Sequence, residues 1–410
     1  MSSFMLPIED ASTVKGLPKG QRELRALLVQ LEASIQKHTH CFVSPTLSNG
    51  WLGACFFYCY YAKFTGDPSY YTLAEAYLGN ALELVDYKYY KRVYPTDSYD
   101  ANIAALGVFF IKATEKGLLD YEASPYLSTI EDTLHALCRN KIKHADFSIF
   151  SGALATGNYL LHAKRSAKND QLLAEIVEAI DAKAIQGASR GICWRSPRLN
   201  NKVYLGLSHG SCMIIAFLSA VFERGIVQDK CRDLIERAAA FVLQHKRQNP
   251  KGLFPHILGE EVQDTQFSLC YGDLGVAYAL LKAGLTVKDD YLVAEAREIL
   301  NVCLARRYED KLTYDGSMTY GASGVAYLFL KLSELDPEGE KYLAAYRYWI
   351  HQVPRNITEE NGFCGFRSFF KPDADLFNLS YAWGIIGIGI TLMTYLDREL
   401  PAVEGLNHGI

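Results

Sequence analysis

The chain has 410 residues, enough for two or three ordinary domains or for one large closed architecture. Its formal net charge of −4 excludes a general electrostatic attraction to nucleic acid or to an anionic membrane surface. No apolar run reaches the length of about 18 residues that a membrane span needs, and the first residues lack the pattern of a secretory signal. The ten cysteines have no repeated short spacing, so we expect reduced thiols in a cytoplasmic protein.

Two kinds of predicted helix alternate along the chain. Seven segments show the apolar period of three to four residues that is typical of amphipathic helices: 20–38, 70–86, 122–138, 169–184, 229–247, 288–307 and 338–352. Each is paired with a helix that is apolar nearly all round, as expected of a helix buried on every side. An anchor residue introduces each of these buried helices, and the anchors are Gly50, Asn102, Gly152, Gly210, Gly272, Gly321 and Gly384.

The anchors belong to an internal repeat. "SLCYGDLGVAYALLKAG" (268–284) and "SMTYGASGVAYLFLKLS" (317–333) share an aromatic residue, two glycines and a Val-Ala-Tyr run. We interpret each glycine as the residue that permits a positive φ and close backbone approach in a tight loop before a buried helix. Seven inner helices surrounded by seven outer ones satisfy both patterns. The sequence therefore predicts an all-α, single-domain (α/α)7 toroid over residues 20–410, with residues 1–19 as an N-terminal extension.

The seven loops are expected to meet at one rim, where the residues before each anchor would face a central pocket. His209 and Cys270 stand out there, because imidazole and thiol are suited to proton transfer near neutral pH and to zinc binding. Polar and aromatic residues occupy the other loops, among them Thr319, Tyr320 and Trp383.

This pattern resembles the lanthionine synthetase C-like family, which closes thioether rings in lanthipeptides. The resemblance covers nearly the whole chain and is sharpest at "SHG" (208–210) and "LCYGDLG" (269–275). It implies a toroid whose central zinc activates a substrate cysteine for addition to a dehydroalanine or dehydrobutyrine. By this resemblance His209 is the acid/base candidate, Cys270 a zinc-ligand position, and Tyr271 the tyrosine beside it.

The chain departs from the family pattern at the positions of the remaining zinc ligands. The family's Cys-His ligand pair is replaced by Thr319 and Tyr320, and its usual arginine by Gln266. The family's acidic residue in the third repeat is replaced by Ser148, with Asp146 two residues away. One thiolate beside a neutral Thr-Tyr pair cannot form a three-ligand catalytic zinc site. The cofactor therefore stays open, and zinc is disfavoured. Compensating donors considered are Cys212, Cys364 and the segment "HTHC" at 38–41.

Three functions remain open from the sequence. The first is thioether cyclisation without the usual zinc, in which His209 deprotonates the substrate thiol, Tyr271 or Tyr320 donates to the enolate, and Cys270 is accessory. The second is a non-catalytic module that binds a peptide or a partner such as a dehydratase. The third is an α/α-barrel hydrolase, for which the nearby carboxylates are Asp100, Asp146 and Asp273. The predicted substrate-binding residues are Thr319, Tyr320, Gln266, Trp383 and Asp273.

Overall fold

The computed structural model describes residues 19–95, 97–187, 190–260, 264–358, 360, 362–401, 405–407 and 409. The predicted extension, apart from Lys19, lies outside these residues. The seven outer helices are α1 Lys19–His38, α3 Ser69–Leu84, α5 Ser124–Lys143, α7 Ala167–Ala182, α9 Gln228–Gln244, α11 Asp290–Ala305 and α13 Glu340–Gln352. The seven inner helices are α2 Trp51–Thr65, α4 Tyr99–Glu115, α6 Ala153–His162, α8 Ser211–Glu223, α10 Asp273–Val287, α12 Ala322–Leu335 and α15 Ile385–Leu396. A short helix α14, Asp375–Leu379, precedes α15.

The chemical difference between inner and outer helices follows their burial. Helix α15 has the sequence IIGIGITLMTYL, and its first nine residues are all buried. In α9 the buried residues, which include Leu234 and Ala238, recur on one face and charged residues fill the other. No helix among the described residues combines the length and the apolar character needed to cross a membrane.

The inner helices form a closed ring. Helix α2 meets α4 through an edge-to-face contact of Phe56 and Phe109, whose ring centroids lie 5.9 Å apart. The contacts then run through α6, α8, α10, α12 and α15, and α15 returns to α2. Each of the outer helices α3 to α13 packs on the inner helix just before it in the chain, while α1 packs on α15. The first helix therefore covers the last, and the predicted (α/α)7 toroid is confirmed.

Six of the seven rim loops use the same device to enter an inner helix. The residue before the helix is Gly50, Gly152, Gly210, Gly272, Gly321 or Gly384. A Cβ atom at any of these glycines would overlap backbone or side-chain atoms of the residues four to six positions earlier. In four of these loops, those at Gly50, Gly152, Gly210 and Gly321, the first helical N–H donates to the carbonyl of the residue six before the glycine, for example Ala153 to Asp146 at 2.8 Å and Ala322 to Asp315 at 2.9 Å. Close backbone approach, as predicted, therefore selects glycine at these positions.

Two details of the predicted repeat are wrong. Only Gly272 among the six has a positive φ, of 97°, and the others are extended, so positive φ is not the general reason for these glycines. Asn102 is not an anchor either, because α4 begins at Tyr99 with Ser98 as its N-cap. Asn102 therefore lies in the first helical turn, where its Nδ2 donates to Tyr90 and to the Ser98 carbonyl.

Between α7 and α8 the described residues form four two-residue strands. β1 (Ile185–Gln186) pairs antiparallel with β2 (Ile192–Cys193), and β3 (Arg195–Ser196) pairs antiparallel with β4 (Lys202–Val203). The second pair is fixed to the rim because the Ser196 hydroxyl donates to the His209 carbonyl at 2.7 Å.

Candidate functional site

Backbone hydrogen bonds join four successive rim loops across the top of the ring. The N–H of Cys270 donates to the Thr319 carbonyl (3.3 Å), that of Thr319 to the Ala382 carbonyl (2.9 Å), and that of Ala382 to the Ser48 carbonyl (3.0 Å). These four residues occupy the same place in their repeats, two before the anchor glycine. The chain of bonds brings equivalent positions side by side, as the rim prediction requires.

A cavity opens at this rim and extends between the inner helices. It contains about 1120 Å³ of empty space, its open mouth included. His209, Cys270, Thr319, Tyr320 and Trp383 all line it. The structure therefore brings together five of the eight residues that the sequence indicated for the site.

His209 lies between this cavity and a smaller one of about 430 Å³ bounded by the β3–β4 turn. Its ring packs 5.3 Å from that of Phe150 and 6.3 Å from that of Tyr271, measured between centroids. Neither imidazole nitrogen hydrogen-bonds to a described residue. Burial disfavours the charged form and lowers the pKa of His209 to about 4. The imidazole is therefore neutral near pH 7 and has a free acceptor nitrogen.

Cys270 is 4% exposed at the wall of the cavity. Burial raises the pKa of its thiol to about 12, while the nearby Ser208 hydroxyl acts in the opposite direction. The Ser208 oxygen itself is buried without a hydrogen bond of normal geometry among the described residues. A thiol in these surroundings stays protonated at neutral pH and is a poor nucleophile.

Three rings form a layer beside the cavity. Tyr271 stacks on His256 with centroids 5.0 Å apart, and on its other side faces Tyr320 at 6.4 Å. Burial raises the pKa of both tyrosines, so both phenols stay protonated and remain hydrogen-bond donors. Tyr320 borders the cavity, whereas Tyr271 is not among the residues that line it. Tyr271 therefore lies one layer behind the position that its predicted catalytic role assumed.

Gln266 and Asp273, both predicted to bind substrate, lie outside the cavity lining. Asp273 is fully buried, pairs with Arg306, and accepts hydrogen bonds from the N–H groups of Leu253 and Phe254 at 3.0 Å each. These contacts use the carboxylate to hold the loop before α10. Gln266 is also buried, and its backbone N–H donates to Nε2 of His256 at 3.1 Å. Neither side chain is among those that line the cavity.

The donor set at the centre does not fit a zinc ion. Thr319 adjoins Cys270 through the backbone, so its hydroxyl and the Tyr320 phenol stand where the family pattern has thiolate and imidazole. Within the described ranges no three His, Cys, Asp or Glu side chains are grouped to hold a metal. This includes the combinations with Cys212, Cys364 or the 38–41 segment. Cys212 is buried in the first turn of α8, and burial raises the pKa of its thiol.

The three carboxylates weighed for a hydrolase do not face one another across the cavity. Asp100 is 3.3 Å from Nζ of Lys141, Asp146 is 3.0 Å from Nε of Arg198, and Asp273 pairs with Arg306. None of the three lines the main cavity. Each carboxylate neutralises a cation, so the paired acid and base of a glycosidase are not formed.

The sequence missed part of the lining. Tyr94 and Asp97 come from the loop before α4, where the misplaced anchor hid them. Tyr94 packs against Trp383 at 5.8 Å and against Phe370 at 5.1 Å between centroids. The indole Nε1 of Trp383 is buried and has no hydrogen-bond partner among the described residues. A correct alignment of the second repeat on Ser98 would have indicated this aromatic mouth.

Known proteins similar to this chain include a sequence family and a solved structure. A sequence model of a family described as "Lanthionine synthetase C-like protein" matches residues 42–406. Among solved structures, the chain is similar to one titled "Nisin cyclase", with a TM-score of 0.66 and 16% sequence identity. The alignment covers 92% of this chain and 93% of that one. At this identity the structural likeness concerns the fold.

Proposed function

Because the chain belongs to the lanthionine synthetase C-like family, we propose that it adds a cysteine thiol of a peptide to a dehydroalanine or dehydrobutyrine, and that it does so without zinc. The observation that carries this proposal is His209, a neutral imidazole that borders the cavity and has no hydrogen bond from either ring nitrogen to a described residue. The ten cysteines form no disulfides among the described residues, which fits a reducing compartment, so we expect cytoplasmic action on a peptide that a dehydratase has modified.

The chemistry can be written with the groups of this chain. His209 takes the proton of the substrate thiol, the sulfur electron pair forms the bond to the β-carbon, and the double-bond electrons move to the carbonyl as an enolate. The protonated phenol of Tyr320 donates a hydrogen bond to the enolate oxygen. The proton on His209 then passes to the α-carbon. No oxidant, reductant or further reactant is needed, because substrate and product are isomers.

The low pKa of His209 makes it a weak base for the substrate thiol. A cysteine thiol has a pKa of about 8.5, whereas that of His209 is about 4. Moving the proton fully before the carbon–sulfur bond forms therefore costs roughly 6 kcal/mol. Holding thiol and alkene in contact contributes about 7–11 kcal/mol in well-oriented reactions. Proximity therefore outweighs the mismatch, provided that the cavity orients both groups.

A non-catalytic peptide-binding module is the second candidate. It is favoured by the replacement of the metal-binding pair with Thr319 and Tyr320, and by the raised pKa of Cys270. An aromatic mouth around Tyr94 and Trp383 suits peptide side chains whether or not a reaction follows.

The test is a synthetic peptide that contains one dehydroalanine and one cysteine, incubated with the protein and an excess of a metal chelator. Cyclisation leaves the mass unchanged, so remaining free thiol is capped with N-ethylmaleimide and counted by mass spectrometry. The proposal predicts that uncapped, cyclic peptide accumulates faster than without protein and forms as one stereoisomer. Binding of the peptide with only the uncatalysed rate would support the module and overturn the cyclase.

A further inference from the structure

Residues 401–409, where described, run along the inside of the inner ring. The Tyr60 hydroxyl in α2 donates to the Pro401 carbonyl at 2.5 Å, and Nδ2 of Asn158 in α6 donates to the Gly405 carbonyl at 2.8 Å. Farther on, the Tyr381 hydroxyl donates to Oδ1 of Asn407 at 2.6 Å. Tyr60 lies in the second half of α2, whereas Tyr381 belongs to a rim loop. Of the described residues, Pro401 therefore lies towards the far side of the ring and Asn407 lies near the rim.

Two glycines allow this segment to fit closely. Gly405 has a φ of +81°, and a Cβ there would overlap the ring of His162. Gly409 has a φ of +76°, and its Cβ would lie 2.7 Å from Cδ1 of Ile149. The positive φ and the lack of space for a Cβ both exclude other residue types at these two positions. The segment is therefore seated against α6 and the rim loop before it.

The same segment forms part of the cavity wall. Gly405, Leu406, Asn407 and Gly409 line the cavity together with His209 and Cys270. Alanines of α4 and α6 also line it, namely Ala101, Ala104, Ala105 and Ala155. The family match ends at Leu406, so Asn407 and Gly409 lie just beyond the matched residues.

The side-chain amide of Asn407 is fixed by a hydrogen bond to its oxygen and not to its nitrogen. Its side chain is buried, with 7% exposure, and its oxygen accepts from Tyr381. Burial raises the pKa of Tyr381, so this phenol keeps the proton that it donates. The Asn407 nitrogen makes no hydrogen bond to a described residue, nor is it among the polar atoms enclosed by protein. Its two hydrogens are therefore available to a ligand in the cavity.

We infer that Asn407, oriented by Tyr381, donates a hydrogen bond to a backbone carbonyl of the peptide in the cavity, and so fixes the depth to which the peptide enters. Every peptide offers backbone carbonyl acceptors, and a carbonyl that enters the cavity loses its hydrogen bonds to water unless a donor such as the Asn407 amide replaces them. The inference rests on the proposed peptide-directed function and assigns a specificity-determining role to Asn407.

The experiment uses an unreactive probe, a fluorescein-labelled peptide with dehydroalanine and with serine in place of cysteine, and fluorescence anisotropy gives its Kd. Asn407→Asp keeps the size and the acceptor for Tyr381 but removes the donor, and Asn407→Ala removes both. We expect both variants to raise the Kd by about 5–10-fold or more. Tyr60→Phe, which removes the hydrogen bond to the Pro401 carbonyl and lies outside the cavity lining, is the matched control and is expected to change the Kd less.

The outcomes separate the two proposals. If the wild type binds the probe and Asn407→Asp binds equally well, or if Tyr60→Phe weakens binding as much as both Asn407 variants, the donor role is refuted while the peptide-binding function stands. If the wild type does not bind the probe, the proposed function fails and this inference fails with it. Unfolding midpoints of all variants are measured alongside, because a loss of binding from a folded Asn407→Asp protein supports the donor role.

Discussion

Thr319 and Tyr320 change the chemistry of the centre without changing its backbone. The hydrogen bond from Cys270 to Thr319 still joins the two loops that would carry metal ligands. The loss of thiolate and imidazole was visible in the sequence, because it concerns side-chain identity at an aligned position. The burial that raises the pKa of Cys270 and lowers that of His209 was not visible, because it depends on packing from several repeats.

The pH dependence of cyclisation tests His209. Since its pKa is about 4, the imidazole stays neutral from about pH 8 to about pH 6, and only below that range does protonation remove the base. We expect a rate that is nearly flat over this range and falls as the pH approaches 4. His209→Ala should lower the rate by about 10²–10⁴-fold.

The His209→Ala variant also serves as the control for the pH dependence of the wild-type rate. Without the base, the rate should follow the thiolate fraction of the substrate and fall about tenfold per pH unit below the thiol pKa of about 8.5. A wild-type profile with that same slope would show that His209 does not take the proton.

The glycine loop is the element that the sequence described best. Its spacing located six of the seven inner helices, and close backbone approach explained the residue type. The loop before α4 was misplaced because Ser98 stands there instead of glycine, and the repeat pattern assigned the anchor to Asn102, four residues later. A repeat that tolerates a different N-cap cannot be aligned by its glycines alone.

Gly272 should be the least replaceable glycine of these loops. Its φ is +97°, and a Cβ would overlap the Gln266 carbonyl oxygen. Gly66→Ala is the matched control, because Gly66 also has a positive φ, of +70°, but nothing lies within 4 Å of its Cβ position. We expect the control to lose about 1 kcal/mol of unfolding free energy in urea. Gly272→Ala should lose at least about 2–4 kcal/mol, and equal losses would refute the close-approach argument.

Ring closure is a property of the whole molecule. Periodicity and repeats predicted seven helix pairs and hence a toroid. They did not reveal that α1 covers α15, nor that residues 405–407 and 409 enter the cavity wall. Both are contacts between segments distant in sequence, for which a single sequence carries no local signal. For this reason Asn407 was absent from the predicted site.

Substitution of Leu31 tests how much the packing of α1 contributes to the stability of the closed ring. Its side chain is fully buried, so Leu31→Ala should lower the free energy of unfolding by about 2–5 kcal/mol. Val29 lies on the same helix with 43% exposure, and Val29→Ala is expected to change it by no more than about 0.5 kcal/mol. As the chain is proposed to be one domain, circular dichroism and tryptophan fluorescence should report coincident transitions in both variants. Separate transitions would contradict a single cooperative toroid.

The zinc content of the purified protein tests the metal-free site most directly. Elemental analysis should find far less than one zinc per wild-type chain, because Cys270 lacks the companion ligands. The double variant Thr319→Cys with Tyr320→His, which restores the donors on loops already joined by backbone hydrogen bonds, should bind about one zinc per chain and lose it on Cys270→Ala. One zinc per chain in the wild type, removed by Cys270→Ala, would contradict the account and return the site to metal-dependent chemistry.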